Sequence, residues 1–182
     1  MQIINTKIAD VKIIEPDVYG DDRGFFLETF SEARYRKALS IDASFVQDNH
    51  SRSEQYVLRG LHFQTENPQG KLVRTVTGKV FDVAVDIRPD SPTFKQWVGV
   101  LLSESNKRQL WIPDGLAHGF VVLSDCADFE YKCTDYYDPS SEQCIIWNDP
   151  DIDIQWPIKH PILSDKDQQG KRLADWLDEI DL

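Results

Sequence analysis

Long apolar runs, paired cysteines and signal-like segments are all missing from this sequence. No stretch approaches the ~18 apolar residues of a membrane-spanning helix, and the N-terminus lacks the basic and apolar regions of a signal peptide. The three cysteines, Cys126, Cys133 and Cys144, are odd in number and include no CxxC pair, so we expect reduced thiols rather than a disulfide framework. These absences together predict a cytoplasmic protein that does not enter a membrane.

Basic residues are also scarce, and this scarcity excludes one class of partner. Lysine and arginine total 20 against 31 aspartate and glutamate residues, which gives a formal net charge of -11. Nucleic-acid backbones are bound by clustered cations on a basic surface, so no nucleic-acid partner is expected. A small anionic ligand needs only a few well-placed cations and remains compatible with this composition.

What is present indicates a β-rich globular domain. Apolar residues make up 41% of the 182 positions, which is enough for one sizeable core, and we predict a single domain over residues 1–182. Residues 80–87, 97–102 and 119–123 have the length and apolar content of strands. Turn residues separate these segments at regular intervals. This spacing predicts a sandwich or barrel.

Only two segments have a helical pattern. Ser31 precedes the sequence EARYRKAL and is a candidate N-cap, with an acidic residue in the first turn. Residues 171–180 carry Leu173, Trp176, Leu177 and Ile180 at i, i+3, i+4 and i+7 spacing, which indicates an apolar helix face. We expect the second helix to pack against the β body.

Two of the four histidines lie in segments that a strand-built pocket would use. His62 lies in the sequence VLRGLHFQ at 57–64, where regular alternation predicts that His62 shares a face with Leu58, Gly60 and Gln64 and that Arg59, Leu61 and Phe63 lie on the other. His118 ends the sequence PDGLAH, which is similar to the second sequence motif of cupins. His62 could equally be a structural residue that faces solvent or makes a hydrogen bond.

The metal-ligand set of cupins is incomplete here. In metal-binding cupins the first motif supplies two histidines in an HxH pattern and then a glutamate, but Gln64 stands where the second histidine would be. The two remaining imidazoles, His62 and His118, fall short of the three protein ligands that catalytic metal sites commonly have. We therefore predict no metal, and expect acid–base catalysis in a cupin-like barrel.

Seven segments of the chain, in order, resemble the dTDP-4-dehydrorhamnose 3,5-epimerase family. They lie at 22–26, 47–49, 58–62, 69–71, 80–88, 109–119 and 131–137. A lone RGLH at 59–62 would mean little, but so many matching motifs make a chance similarity improbable. The resemblance implies a mainly β fold, a cupin-like jelly-roll barrel with a few short helices. It also implies inversion of C3 and C5 of a 4-keto sugar through an enolate, a reaction that requires no cofactor.

The resemblance implies a role for each of four residues. His62 is the base that removes a proton from the carbon next to the C4 carbonyl, and an imidazole suits this task at working pH. Asp167 is the carboxylate that binds and orients this histidine. Lys71 is the cation beside the C4 oxygen, where it would stabilise the enolate more than the ketone. Tyr131 is the acid that returns a proton.

Substrate binding and assembly are likewise implied by the resemblance. The substrate is a dTDP-4-keto-6-deoxyhexose, and guanidinium groups suit its diphosphate. Phe26 or Tyr136 could stack on the thymine, and the family pattern implies a homodimer in which the neighbouring chain completes the site. The substrate-contacting positions are Arg23, Glu28, Gln47, Asp48, Asn49, Arg59, Lys71, His118, Glu142 and Lys166.

Three alternatives remain open at this stage. An epimerase that inverts a single carbon, or a 3,4-ketoisomerase, could keep the same barrel and the same histidine base. A metal-dependent cupin oxygenase would need the ligand set that the sequence lacks. A sugar-binding module without catalytic activity would not need His62, Lys71 and Tyr131 together.

Overall fold

Between residues 1 and 180, the part of the chain that the computed structural model describes, the backbone forms thirteen strands and three helices. The last two residues of the predicted domain, 181 and 182, lie outside this range. The strands are β1 Gln2–Asn5, β2 Lys12–Glu15, β3 Val18–Asp21, β4 Gly24–Leu27, β5 Gln47–Glu54, β6 Leu58–Gln64, β7 Lys71–Thr77, β8 Lys79–Asp86, β9 Trp97–Ser103, β10 Gln109–Ile112, β11 Leu116–Val122, β12 Cys126–Cys133 and β13 Glu142–Cys144. The helices are α1 Glu32–Leu39, α2 Asp165–Gln168 and α3 Leu173–Ile180.

Two antiparallel sheets form the body of the molecule. The larger sheet has the strand order β1-β2-β10-β7-β12-β5, and the smaller has the order β13-β6-β11-β8-β9. Strands β3 and β4 form a separate hairpin that is hydrogen-bonded to neither sheet. This mainly β architecture with a few short helices confirms the predicted fold class. No helix within residues 1–180 is long and apolar enough to cross a membrane.

The main core lies between the two sheets. One buried cluster contains Val80 and Phe120 from the smaller sheet together with Val73 and Phe129 from the larger sheet. The rings of Phe120 and Phe129 stack with their centroids 4.2 Å apart, so the sheets touch at this point. Because side chains two residues apart share a face of a strand, the next inward positions are His118 on β11 and Tyr131 on β12. At these positions the apolar core gives way to a polar cavity.

A second core covers the outer face of the smaller sheet. Leu61, Phe63 and Val85 point outward from the sheet and pack with α3, whose Trp176 ring meets Phe63 edge to face at a centroid distance of 4.9 Å. The prediction that this helix packs against the β body is confirmed. The helix after Ser31 is confirmed as α1, although Ser31 makes no side-chain capping bond. The short helix α2 was not predicted, because four residues carry no periodic pattern.

Strand β6 contains a bulge that overturns the predicted alternation. Arg59 pairs with Phe120 and His62 pairs with His118, so Gly60 and Leu61 together lie opposite the single residue Gly119. Gly60 has φ +115°, and a Cβ atom there would lie 2.6 Å from the His118 carbonyl oxygen, so the bulge requires glycine. The prediction that Arg59 and His62 face opposite sides is wrong. The extra residue brings both to the inner side.

Candidate active site

A polar cavity of about 440 Å³ opens between the two sheets beyond the Phe120–Phe129 contact. Its lining comes from both sheets, from the loop after β6, from the segment between β12 and β13, and from α2. Ten of the thirteen predicted site residues line it: His62, Tyr131, Asp167, Lys71, Gln47, Asn49, Arg59, His118, Glu142 and Lys166. The sequence motifs, which are far apart along the chain, therefore meet in one cavity.

His62 and Asp167 form a hydrogen-bonded pair at the cavity wall. The His62 Nε2 and Asp167 Oδ1 atoms lie 2.7 Å apart, and the Gly60 amide also donates to Asp167 Oδ1 at 3.2 Å. Ser164 Oγ, at the N-terminus of α2, donates to Asp167 Oδ2 at 2.7 Å. Burial alone would raise the pKa of Asp167, but the hydrogen bonds from His62 and Ser164 outweigh it and the pKa is lowered.

The ionised carboxylate of Asp167 fixes the tautomer of His62. A carboxylate only accepts hydrogen bonds, so Nε2 of His62 must carry a proton and the neutral ring keeps its lone pair on Nδ1. Nδ1 lies 3.9 Å from Glu142 Oε1, and the side chain of His62 is 26% exposed whereas that of Asp167 is 4% exposed. The nitrogen able to accept a proton is thus the one not occupied by Asp167.

Glu142 joins three groups at the cavity rim. Tyr137 Oη donates to Glu142 Oε2 at 2.5 Å, and the Lys166 ammonium also binds Glu142. Burial would raise the pKa of Glu142, but the bonds from Lys166 and Tyr137 lower it below its usual value. The hydrogen bond between Tyr137 and Glu142 and, to a smaller extent, burial raise the pKa of Tyr137 to about 12. Glu142 is therefore a fixed anion near His62.

Tyr131 and Lys71 enter the cavity from the larger sheet, which faces the sheet that carries His62. Tyr131 pairs with Asn49 on β5 and Val73 on β7, while Lys71 pairs with Cys133. Burial raises the pKa of Tyr131, so its phenol stays protonated over a wide pH range. Burial lowers the pKa of Lys71, although neighbouring Cys133, Glu142 and Asp82 oppose the shift. No carboxylate within residues 1–180 forms an ion pair with Lys71.

His118 belongs to a second histidine–aspartate pair deeper in the barrel. Its Nε2 lies 2.9 Å from Asp82 Oδ2 and 3.1 Å from Asp82 Oδ1, and both side chains are almost fully buried. The ring stacks on Phe129 at a centroid distance of 6.1 Å and an interplanar angle of 18°. His118 reaches the cavity floor but is held by packing as well as by its hydrogen bond.

Three predicted site residues do not reach the cavity. Arg23 lies on the exposed hairpin of β3 and β4 and pairs with Asp21. Glu28 binds Arg34 at 2.9 Å. Asp48 points away from the cavity, because it alternates along β5 with the inward-facing Gln47 and Asn49, and it binds Lys132 at 2.8 Å. Within one chain these three side chains are therefore separate from the other ten.

Sequence reasoning missed several residues that line the cavity. Tyr137, half exposed, lines it, whereas Phe26 and Tyr136, the aromatic residues proposed to stack on the base, do not. Adjacent tyrosines in a loop carry no periodicity that would tell one from the other. Gln64, Gln69 and Ser164 also line the cavity. The Ser164-x-x-Asp167 spacing of an N-cap was the one signal that could have found Ser164.

One group of metal-ligand types lies beside the cavity. His62, Cys144 and Asp167 each offer one ligand atom, and these three atoms lie within 4.8 Å of one another. Ligand atoms around a tetrahedral zinc ion lie about 3.3 Å apart or more, since each is at least 2.0 Å from the metal. The 2.7 Å separation of His62 Nε2 and Asp167 Oδ1 is that of a hydrogen bond. The geometry fits a hydrogen-bonded histidine–aspartate pair better than a metal site.

Comparisons with known proteins agree with this geometry. Residues 5–175 match the family model described as dTDP-4-dehydrorhamnose 3,5-epimerase. A Pseudomonas aeruginosa protein of that name is 57% identical over 176 residues, which cover 96% of this chain and 97% of that protein.

Two solved structures bear on what the barrel can do. The Legionella pneumophila dTDP-6-deoxy-D-glucose-3,5-epimerase in complex with dTDP-4-keto-L-rhamnose is 60% identical, with a TM-score of 0.93, covering 95% of this chain and 93% of that one. A 3'-monoepimerase from Streptomyces bikiniensis in complex with dTDP-quinovose is 34% identical, with a TM-score of 0.89 and coverages of 96% and 90%. The same fold therefore serves more than one stereochemical outcome.

Proposed function

The chain belongs to the dTDP-4-dehydrorhamnose 3,5-epimerase family, and from this premise we propose that His62 and Tyr131 exchange protons with opposite faces of its sugar substrate. The enzyme is an isomerase that converts dTDP-4-dehydro-6-deoxy-D-glucose to dTDP-4-dehydro-L-rhamnose, a step of dTDP-L-rhamnose biosynthesis. One observation carries the assignment: His62, which is hydrogen-bonded to Asp167 of α2, and Tyr131 project into one cavity from two facing sheets.

Proton removal falls to Nδ1 of His62. C3 and C5 of the substrate both neighbour the C4 carbonyl, so breaking either C–H bond moves the electron pair onto the C4 oxygen as an enolate. Nδ1 takes the proton and the ring becomes an imidazolium, whose charge Asp167 stabilises through the 2.7 Å hydrogen bond. His62 serves both carbons in turn when the sugar ring shifts so that first one carbon and then the other lies next to Nδ1.

Lys71 receives the charge that develops on the C4 oxygen. The Lys71 ammonium forms no ion pair with a carboxylate of residues 1–180, and it interacts with an enolate oxygen far more strongly than with a neutral ketone, so it lowers the barrier. Loss of one such donor costs about 2.7–4 kcal/mol in other enzymes. The desolvation that lowers the pKa of Lys71 also strengthens its field inside the cavity.

Tyr131 returns a proton to the face opposite His62. Because burial raises the pKa of its phenol, Tyr131 carries a proton at neutral pH. Transfer from its Oη to C3 or C5 forms the new C–H bond with inverted configuration and leaves a phenolate. Before the next step the His62 imidazolium releases its proton to solvent and the phenolate takes one up from solvent, which restores both groups.

Nucleotide binding draws on the cations and on one aromatic face. Arg59 and Lys166 supply positive charge for the diphosphate, and Asn49 and His118 offer hydrogen-bonding groups to sugar and phosphate oxygens. Phe120 and Phe129 are buried against each other, whereas the Tyr137 ring is half exposed at the rim. Tyr137 therefore offers the flat surface on which the thymine stacks.

The proposed homodimer brings to each cavity predicted site residues that lie outside the cavity in a single chain. The exposed hairpin of β3 and β4 carries Tyr19, Phe25 and Phe26, each more than half exposed, and is followed by Glu28. In the proposed homodimer the hairpin reaches the neighbouring cavity and adds Arg23 and Glu28 to it, whereas Asp48 is left without a substrate contact. A cytoplasmic location fits the three free cysteines.

The rival function is inversion of a single carbon, since a monoepimerase has the same fold. Incubating the enzyme with substrate in D₂O and locating deuterium by NMR separates the two. Double epimerisation predicts deuterium at both C3 and C5 of the product; label at one carbon alone refutes it. Full activity after chelator treatment, with metal content measured on the same sample, tests the proposed independence from metals.

A further inference from the structure

The loop segment 135–138, between β12 and β13, is held in place by the side chains of three glutamines. Gln69 Nε2 donates to the Asp135 carbonyl at 2.8 Å, and Gln64 Nε2 donates to the Tyr136 carbonyl at 3.3 Å. The Tyr137 amide donates to Gln47 Oε1 at 2.9 Å, and the Asp138 amide donates to Gln64 Oε1 at 3.0 Å. Every residue of the segment is thus anchored at its backbone.

The three glutamines come from different parts of the fold. Gln47 begins β5, Gln64 ends β6, and Gln69 lies in the loop before β7, so the segment is attached to both sheets at once. Gln64 is 7% exposed and also donates to the Asn67 carbonyl at 2.8 Å. Both the nitrogen and the oxygen of its side-chain amide are therefore hydrogen-bonded. Its position matches the second histidine of metal-binding cupins, and in this chain it supports a loop instead.

The anchored segment has one side chain in the cavity, and that side chain is Tyr137. Its ring is half exposed, and its hydroxyl binds Glu142, which in turn lies 3.9 Å from His62 Nδ1. A loop without these anchors would have to be ordered when ligand binds, and that ordering would weaken binding. Anchoring the backbone on both sides of Tyr137 removes this penalty in advance.

We propose that Gln47, Gln64 and Gln69 together are positioning residues that hold Tyr137 in place as the wall of the nucleobase subsite. The proposal rests on the proposed role of Tyr137 in stacking on the base. Gln64 and Gln69 act on nucleotide affinity through Tyr137, and Gln47 does so in addition to its predicted contact with substrate; proton transfer between His62, Tyr131 and the sugar stays unchanged. Substitution of these glutamines weakens binding of the substrate in the ground state and in the transition state equally. KM therefore rises while kcat stays unchanged.

Glutamate substitutions test the proposal with little change in size. Gln64→Glu removes the donors to the Tyr136 and Asn67 carbonyls but keeps an acceptor for the Asp138 amide, and Gln69→Glu removes the donor to Asp135. We expect each variant to raise KM, and the Kd for dTDP measured by calorimetry, about 5- to 10-fold, with kcat within about 2-fold of wild type. If Gln64→Glu does not fold, Gln69→Glu provides the test, because Gln69 is less buried than Gln64.

A matched control is available at the end of β5 opposite to Gln47. Gln55 Nε2 also donates to a backbone carbonyl, that of Leu123 at 3.4 Å, but it does not line the cavity. Gln55→Glu should leave KM and Kd at their wild-type values. A general loss of stability would lower the active fraction, and therefore kcat, without this selective change in affinity.

We call the set of Gln47, Gln64 and Gln69 the clamp. Tyr137→Ala separates failure of the clamp from failure of the stacking role of Tyr137. Loss of base stacking should raise the Kd for dTDP about 5- to 150-fold, and adding Gln64→Glu to this variant should then have no further effect. If Tyr137→Ala weakens binding but both glutamine variants bind as wild type, or if their effects simply add, the clamp is refuted. If Tyr137→Ala itself leaves Kd unchanged, the stacking role and the clamp both fail.

Discussion

Two histidine–aspartate pairs lie in this barrel, and they differ in their surroundings more than in the bond that joins them. The His62–Asp167 distance is 2.7 Å and the His118–Asp82 distance is 2.9 Å. The His62 side chain is 26% exposed, against 9% for His118, whose ring is also stacked on Phe129.

Under the proposed mechanism, a hydrogen-bonded carboxylate is not enough to make a histidine a base. The bulge at Gly60 lets His62 lie at the cavity wall with its second ring nitrogen facing Glu142. His118 lies opposite His62 on β11, which pairs with β8 without a bulge, and its ring is confined by Phe120 and Phe129. A base needs a free nitrogen near the reacting carbon, whereas a binding residue needs a fixed position.

The largest expected effect comes from replacing each imidazole in turn. His62→Asn should lower kcat about 10²- to 10⁴-fold, because it removes the general base, while dTDP binding and the melting temperature stay near wild type. His118→Asn should raise KM about 10-fold and change kcat much less. Steady-state kinetics and calorimetry on both variants measure the difference. Equal losses of kcat would abolish the distinction between the two pairs.

A smaller effect concerns the alkaline limb of the pH profile. Lys71 must be charged to stabilise the enolate, and since burial lowers its pKa, activity should fall at a pH below the ordinary lysine value of 10.5. Tyr131 does not cause this limb, because its pKa is raised.

The two aspartates should affect this limb differently. Asp82 is among the groups that oppose the lowered pKa of Lys71, so Asp82→Asn should move the limb to lower pH. Asp167→Asn should reduce kcat and leave the limb in place. The pH dependence of kcat for wild type and both variants checks this, and a limb that moves only in Asp167→Asn would contradict the assignment to Lys71.

Much of the fold followed from local patterns in the sequence. The strands at 80–87, 97–102 and 119–123 and the helices α1 and α3 were predictable, because apolar periodicity and turn residues mark them. Alternation along β5 also contained the signal that Asp48 points away from Gln47 and Asn49. The bulge in β6 was not predictable, since a glycine in a strand permits a bulge without requiring one.

The site itself could be assembled only in part from the sequence. Matching motifs grouped His62, Lys71, Tyr131 and Asp167, although nothing in their spacing brings residues from β6 and α2 together. The segment 135–138 was beyond such reasoning, because its conformation depends on side-chain bonds from three distant glutamines. Long-range hydrogen bonds to loop backbone leave no periodic trace in a sequence.

Solvent exchange by Tyr131→Phe tests most directly the claim that His62 and Tyr131 act on opposite faces of the sugar. In D₂O this variant should still introduce deuterium at C3 or C5 of the starting sugar with retained configuration, because His62 can remove a proton and return a deuteron on the same face. Formation of the inverted product should fall about 10²- to 10⁴-fold. Inversion at the wild-type rate, or loss of deuterium uptake together with inversion, would contradict the account.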